Sequence, residues 1–176
     1  MNTLADQYYI KAFDQYPYNL EEAIENLNYA LSYNQEHIGA NYLMAKLHQE
    51  QLNQLSEAEA YYITAMACNP DDINVCLNYI SLLILLKEFD KARRLIAYAQ
   101  KLKGVDLSKI RAAKALIHEH QQHYKRALKM YEKALLNAYH EDSITELNQD
   151  IKRVKMKKKL VQKQRAKKSQ SIIHNS

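Results

Sequence analysis

Ala23, Leu27 and Ala30 form a small–large–small set at spacings of four and three residues, which places all three on one face of an α-helix. The set recurs as Ala58–Tyr62–Ala65, Ala92–Ile96–Ala99 and Ala127–Tyr131–Ala134, at intervals of 35, 34 and 35 residues. Small residues let a neighbouring helix approach closely, and the bulky one fills the space between. A fixed period near 34 residues predicts a stacked array of helical hairpins, in which each unit buries its apolar face against its neighbours.

The predicted units run over about 4–37, 38–72, 73–106 and 107–140. In the second, one helix covers Ala40 to Gln51 with small Ala45 at a contact point, and the other covers Ser56 to Cys68. Ser56 with Glu59 reads as a capping box, Pro70 stops the helix, and Asp71 or Asp72 caps the next one. The third unit has an apolar helix from Cys76 to Leu86, then a helix from Asp90 to Lys103, with Asp90 as N-cap and Gly104 as a left-handed C-cap. The first unit has a regular second helix, Asn19 to Tyr33, but Pro17 and four nearby tyrosines blur its first. After the array, Ile144, Leu147, Ile151 and Val154 make one apolar stripe on a helix over 141–168, and residues 169–176 are expected to be a disordered tail.

Ala58–Tyr62–Ala65–Pro70 and Ala115–Tyr124–Ala127–Tyr131–Ala134 resemble the tetratricopeptide repeat family, as do Phe89, Ala92 and Ala99 in the third unit and Leu20, Ala23 and Ala30 in the first. The likeness spans about residues 4–140. It implies an all-α, right-handed α-solenoid of about four repeats, with the stripe from Ile144 to Val154 covering the last of them. It also implies that the first helix of each unit lines a concave groove. On that basis the groove residues are Tyr42, Leu43, Lys46, Leu77, Asn78, Ser81, Ile84, Leu85, Lys109 and Leu116. Family members that hold chaperone C-termini use a five-residue carboxylate clamp. Here only Asn78 and Lys109 match it, so that activity is not expected.

Two Gly and two Pro in 176 residues agree with a nearly all-helical chain. The start has no basic-then-apolar leader, and the most apolar run, Leu77 to Leu86, is half the length of a membrane span. Cys68 and Cys76 have no partner spacing and read as ordinary thiols. These features point to a cytoplasmic protein without a membrane span.

The net charge of +5 hides a gradient. Residues 1–72 carry −9, and residues 151–176 carry ten bases and no acid. The bases are Lys152, Arg153, Lys155, Lys157, Lys158, Lys159, Lys163, Arg165, Lys167 and Lys168. Such density attracts phosphates non-specifically. No aromatic is interleaved to stack bases, though, and no groove-reading motif is present. Facing water, or the acidic half of a second copy, is the plainer reading. His118, Glu119, His120 and His123 resemble a metal cluster, but His118 falls at a packing position of the family and Glu119 and His120 point to different faces, so no metal is expected. The 14 tyrosines serve as fillers between helices.

No phosphate loop, nucleophile elbow or carboxylate pair marks a catalytic residue, and no cofactor is implied. The expected function is that of a non-catalytic adaptor binding a peptide or helix of another protein. Nucleic-acid association through the basic helix and self-association as a homo-oligomeric scaffold are the alternatives.

Overall fold

The computed structural model describes residues 3–174, with side chains through Arg165. Nine helices and no strand occur among the described residues: α1 (Leu4–Gln15), α2 (Leu20–Tyr33), α3 (Ile38–Glu50), α4 (Leu55–Cys68), α5 (Ile73–Leu85), α6 (Phe89–Ala99), α7 (Leu107–His120), α8 (Tyr124–Leu135) and α9 (Glu141–His174). They pair as hairpins α1–α2, α3–α4, α5–α6 and α7–α8, with α9 laid against α8. The fold is an all-α helical repeat of the solenoid class. Contacts divide the chain into two compact units, one holding α1–α6 and ending at Leu102, the other beginning at Lys103 and holding α7–α9.

All eight periodic alanines are fully buried, and Leu27, Tyr62, Ile96 and Tyr131 between them are buried too. In the first unit, Ala12, Ala23, Leu27, Ala30, Ala40, Leu43, Met44 and Leu47 form one core cluster, edged by Tyr8, Tyr9 and Tyr16. A second holds Ala45, Ala58, Tyr62, Ala65, Val75 and Leu82. In the second unit, Ala115, Ala127, Tyr131 and Ala134 pack with Leu147, Ile151 and Val154 of α9. The apolar stripe of α9 therefore covers the last hairpin. Gly39 has a packing reason: a Cβ there would lie 2.8 Å from Cζ of Tyr9, where α1 and α3 meet.

The period is also visible in the backbone. Asn53, Lys87 and Gln122 have φ of 53°, 62° and 59°, at intervals of 34 and 35 residues, each in the turn inside a hairpin. At Lys87 and Gln122 the turn is a Schellman motif. Glu88 N–H donates to the Leu83 carbonyl and His123 N–H to the His118 carbonyl, both at 2.8 Å.

Several boundary signals in the sequence mislead. Ser56 lies inside the first turn of α4, whose N-cap is Gln54; the Gln54 side chain is held by His48 at 2.7 Å and caps nothing. The capping box is instead at Thr3 and Asp6, where Asp6 N–H donates to Thr3 Oγ1 and Thr3 N–H to Asp6 Oδ2. Asp90 is the second residue of α6 and pairs with Arg93 at 2.7 Å. α6 ends at Ala99, so Gly104, although at φ 88°, closes the following turn and not the helix. Asp72 caps α5 as expected, accepting from the N–H groups of Asn74 and Val75. Residues 169–174, which the sequence suggests are a disordered tail, continue as α9; residues 175 and 176 lie outside the described residues.

Candidate partner-binding face and the basic helix

α3 touches both α1 and α5, so the first helices of the first three hairpins form a continuous layer. Tyr42 of α3 is half-buried, and its hydroxyl accepts from Asn78 Nδ2 of α5 at 2.7 Å. Burial raises the Tyr42 phenol above its ordinary value, and the carboxylates of Asp72 and Glu50 add to the effect. Lys46 lies 3.8 Å from Glu50 Oε2 and over the ring of Tyr16, whose hydroxyl donates to the same Glu50 oxygen at 2.6 Å. Leu77 is half-buried, Ser81 is exposed, and Leu85 is 51 % exposed.

Two expected groove residues are not on this face. Leu43 belongs to the first core cluster, and Ile84 is buried. The reason at α5 is geometric. Val75, Cys76, Ile80, Leu82, Leu83 and Ile84 are all buried, which leaves a narrow exposed strip through Asn74, Ser81 and Leu85. A helix apolar at every angle carries no periodicity to show which side faces water. Lys109 and Leu116 lie on α7 in the second unit, Lys109 exposed and Leu116 half-buried. The layer gains a residue that the sequence reading missed: Phe13 of α1, 58 % exposed and packed on Tyr9 at 6.2 Å between ring centroids. The i,i+4 pair Tyr9–Phe13 was its signal, masked by the irregular run around Pro17. The amide of Asn78 is engaged by Tyr42 and by the Asn74 carbonyl, which removes one of the two clamp matches.

The basic helix is not one uniform face. Arg153 and Lys157 turn inward to Glu119 of α7, a buried carboxylate. Arg153 donates from Nε to Glu119 Oε1 at 2.9 Å and from Nη2 to Oε2 at 2.7 Å, a two-pronged contact, and Lys157 Nζ reaches Oε1 at 2.8 Å. Arg153 also bonds Asp150, and the Tyr131 hydroxyl donates to Glu119 Oε2 at 3.2 Å. Burial acts to raise the Glu119 carboxyl, but the hydrogen bonds and charges of Arg153 and Lys157 outweigh it and hold the group at about 2. The arrangement mirrors the second hairpin, where the Tyr62 hydroxyl donates to Gln49 at 3.0 Å. Here the group that meets the tyrosine hydroxyl is a glutamate, and the two cations from α9 meet its charge. Lys152, Lys155, Lys159 and Lys163 remain exposed, Lys158 is half-buried, and Arg165 is exposed; the side chains of Lys167 and Lys168 lie outside the described residues.

The His118 and His123 rings lie 6.1 Å apart, and among the described residues no group of three or more His, Cys, Asp or Glu is arranged to hold a metal ion. The Cys76 thiol is buried, donates to the Pro70 carbonyl at 3.3 Å, and is pushed up to about 11 by burial and by Asp72 and Asp71. A thiol so rarely ionised is a poor nucleophile. No helix among the described residues is long and apolar enough to cross a membrane.

Residues 17–75 match the tetratricopeptide repeat family. Among solved structures, the chain is similar to the crystal structure of a thermophilic TPR protein from Thermus thermophilus. That likeness has 22 % identity and a TM-score of 0.66, over 86 % of this chain and 81 % of that one. No curated protein matches the chain. Tetratricopeptide repeats generally mediate protein–protein interaction, and the fold is generally non-catalytic. The match at residues 17–75 and the helical-hairpin fold around it together support assignment of the chain to the tetratricopeptide repeat family.

Proposed function

We propose that the chain is a non-catalytic adaptor of the cytoplasm that binds a peptide or helix of another protein on the concave face of its repeats. The carrying observation is the layer of first helices in the first unit. That layer carries the exposed apolar groups Phe13 and Leu85, the hydrogen-bonded pair Tyr42 and Asn78, and the small, exposed Ser81. Apolar anchors among convergent polar groups are what a docked segment needs. Nucleic-acid association through α9 is the less supported alternative, because Arg153 and Lys157 are already committed to Glu119.

The test is a photo-crosslinking amino acid placed at Ser81 or, as a control, at the exposed Glu57 of α4. Crosslinks to a defined protein segment from Ser81 and none from Glu57 are expected. Equal crosslinking from both positions, or none from Ser81, would remove the site from this face. Leu85→Asp should weaken capture while leaving helical content unchanged. Ile84→Asp is unsuitable as a probe, since a buried charge there would unfold the hairpin.

A further inference from the structure

The inward stripe of α9 changes character after Val154. Ile144, Leu147, Ile151 and Val154 continue at the same three- and four-residue spacings as Lys158, Val161 and Arg165. Two positions that packing would fill with apolar groups therefore carry cations, and Lys158 is half-buried. These residues line a cleft of about 380 Å³ with Gln162, opposite Gln122, His123, Tyr124, Lys125 and Arg126 at the start of α8. The volume falls within the range of small-ligand sites, about 300–1,000 Å³.

The cleft collects charge of one sign. Lys125 and Arg126 come from α8, Lys158 and Arg165 from α9, and no Asp or Glu is among the lining residues. Among the described residues, no carboxylate pairs with Lys125, Arg126 or Lys158. Glu119, the nearby buried acid, is taken by Arg153 and Lys157. The first turn of α8 opens on the same cleft, and its N-cap His123 makes no side-chain capping bond. Converging cations repel one another, and half-burying one of them costs more, unless an anion neutralises them.

From this the geometry points to an oligophosphate-binding cleft between α8 and α9, taking two or three linked phosphates. One phosphate would reach only part of the set of four cations, whereas a linked chain matches them along its length. The guanidinium forks of Arg126 and Arg165 suit bidentate oxyanion contacts, and Lys125 and Lys158 act as point charges. The site lies outside the groove proposed for a protein partner, so either can fail without the other.

Titration calorimetry of the full chain with inorganic tripolyphosphate, at roughly 0.15 M salt so that diffuse attraction is screened, tests it. One saturable site is expected. Lys158→Gln and Arg126→Gln should each weaken it about ten-fold, while Lys152→Gln and Lys159→Gln, which remove the same charge from the exposed side of α9, should change it less than about two-fold. Gln162→Glu, which adds a carboxylate to the lining at an exposed position, should abolish it, with an unchanged circular dichroism spectrum. ATP without magnesium separates the two sources of the same chemistry. Affinity equal to that of tripolyphosphate means a free phosphate chain is sufficient, and tighter binding means a nucleoside is recognised as well. Absence of saturation, or equal losses in all four neutralised variants, would overturn the cleft. So would binding of an RNA oligomer alone with a steep salt dependence, which would leave only a diffuse basic surface.

Discussion

Glu119→Gln isolates the contact that fastens α9 to the last hairpin. Glutamine keeps the volume and can still accept from Tyr131, as Gln49 does from Tyr62 in the second hairpin. What it removes is the charge that Arg153 and Lys157 meet. A carboxyl held at about 2 instead of 4.5 is worth about 3 kcal/mol of differential interaction, at ~1.4 kcal/mol per pH unit. Water reaches the Arg153 and Lys157 side chains, which are 42 % and 48 % exposed, and screening reduces the expected loss to about 1–2 kcal/mol. For a chain of this size, that lowers the melting temperature by about 2–8 °C at neutral pH.

The pH dependence distinguishes an ion-pair loss from simple repacking. A carboxylate held below its ordinary value stabilises the folded chain at any pH above 4.5, and the contribution fades as the pH falls from 4.5 toward about 2. The gap between the parent and Glu119→Gln should therefore be full at neutral pH and shrink at about pH 3. Melting followed by circular dichroism at both pH values measures it. A double-mutant cycle with Arg153→Gln should return a coupling of about 1 kcal/mol. Equal stability of Glu119→Gln and the parent at neutral pH, or a gap of the same size at both pH values, would refute the reasoning.

Two further outcomes follow from the repeat itself. Ala127→Leu inserts a bulky group at a fully buried contact point in the cluster with Tyr131 and Val154, and should cost about 1–3 kcal/mol in urea unfolding; an unchanged midpoint would contradict the repeat register. Lys87→Gly places glycine where the backbone already has φ 62°, and relief of left-handed strain should raise stability by about 0.5 kcal/mol in the same assay despite the added freedom of the unfolded chain.

The hairpin array was legible because packing geometry leaves a record in residue size. An alanine that must admit a neighbouring helix tolerates little else, so Ala23, Ala58, Ala92 and Ala127 repeat with the structure they make. Helix ends were less legible, because the turns use backbone geometry that different side chains satisfy. Asn53, Lys87 and Gln122 occupy equivalent left-handed positions yet share no chemistry that a reader would flag. Local signatures mislead for the related reason that a Ser–Glu pair or a glycine is necessary to no particular turn. Ser56 falls inside a helix and Gly104 beyond one. Of the expected groove residues, Ser81 is exposed and Tyr42 and Lys46 half-buried, whereas Ile84 sits in a run that is apolar in all directions and Leu43 points into the first core cluster.

Charge was the least legible property, because a sequence gives its sign and not its partner. Ten bases in the last 26 residues read as a single solvated or partner-seeking run. Folding sorts them by angle. Arg153 and Lys157, one turn apart, meet a carboxylate one hairpin earlier in the chain. Lys158 and Arg165 continue the packing stripe into a cleft without acids, and Lys152, Lys155, Lys159 and Lys163 are left to water. Tyr62 and Tyr131 are equivalent in the repeat, 69 residues apart, but the partners they address are not, since Glu119 lies 70 residues after Gln49. A buried carboxylate requires a cation from elsewhere in the chain. Here the segment that follows the last hairpin is the basic one, and it supplies two.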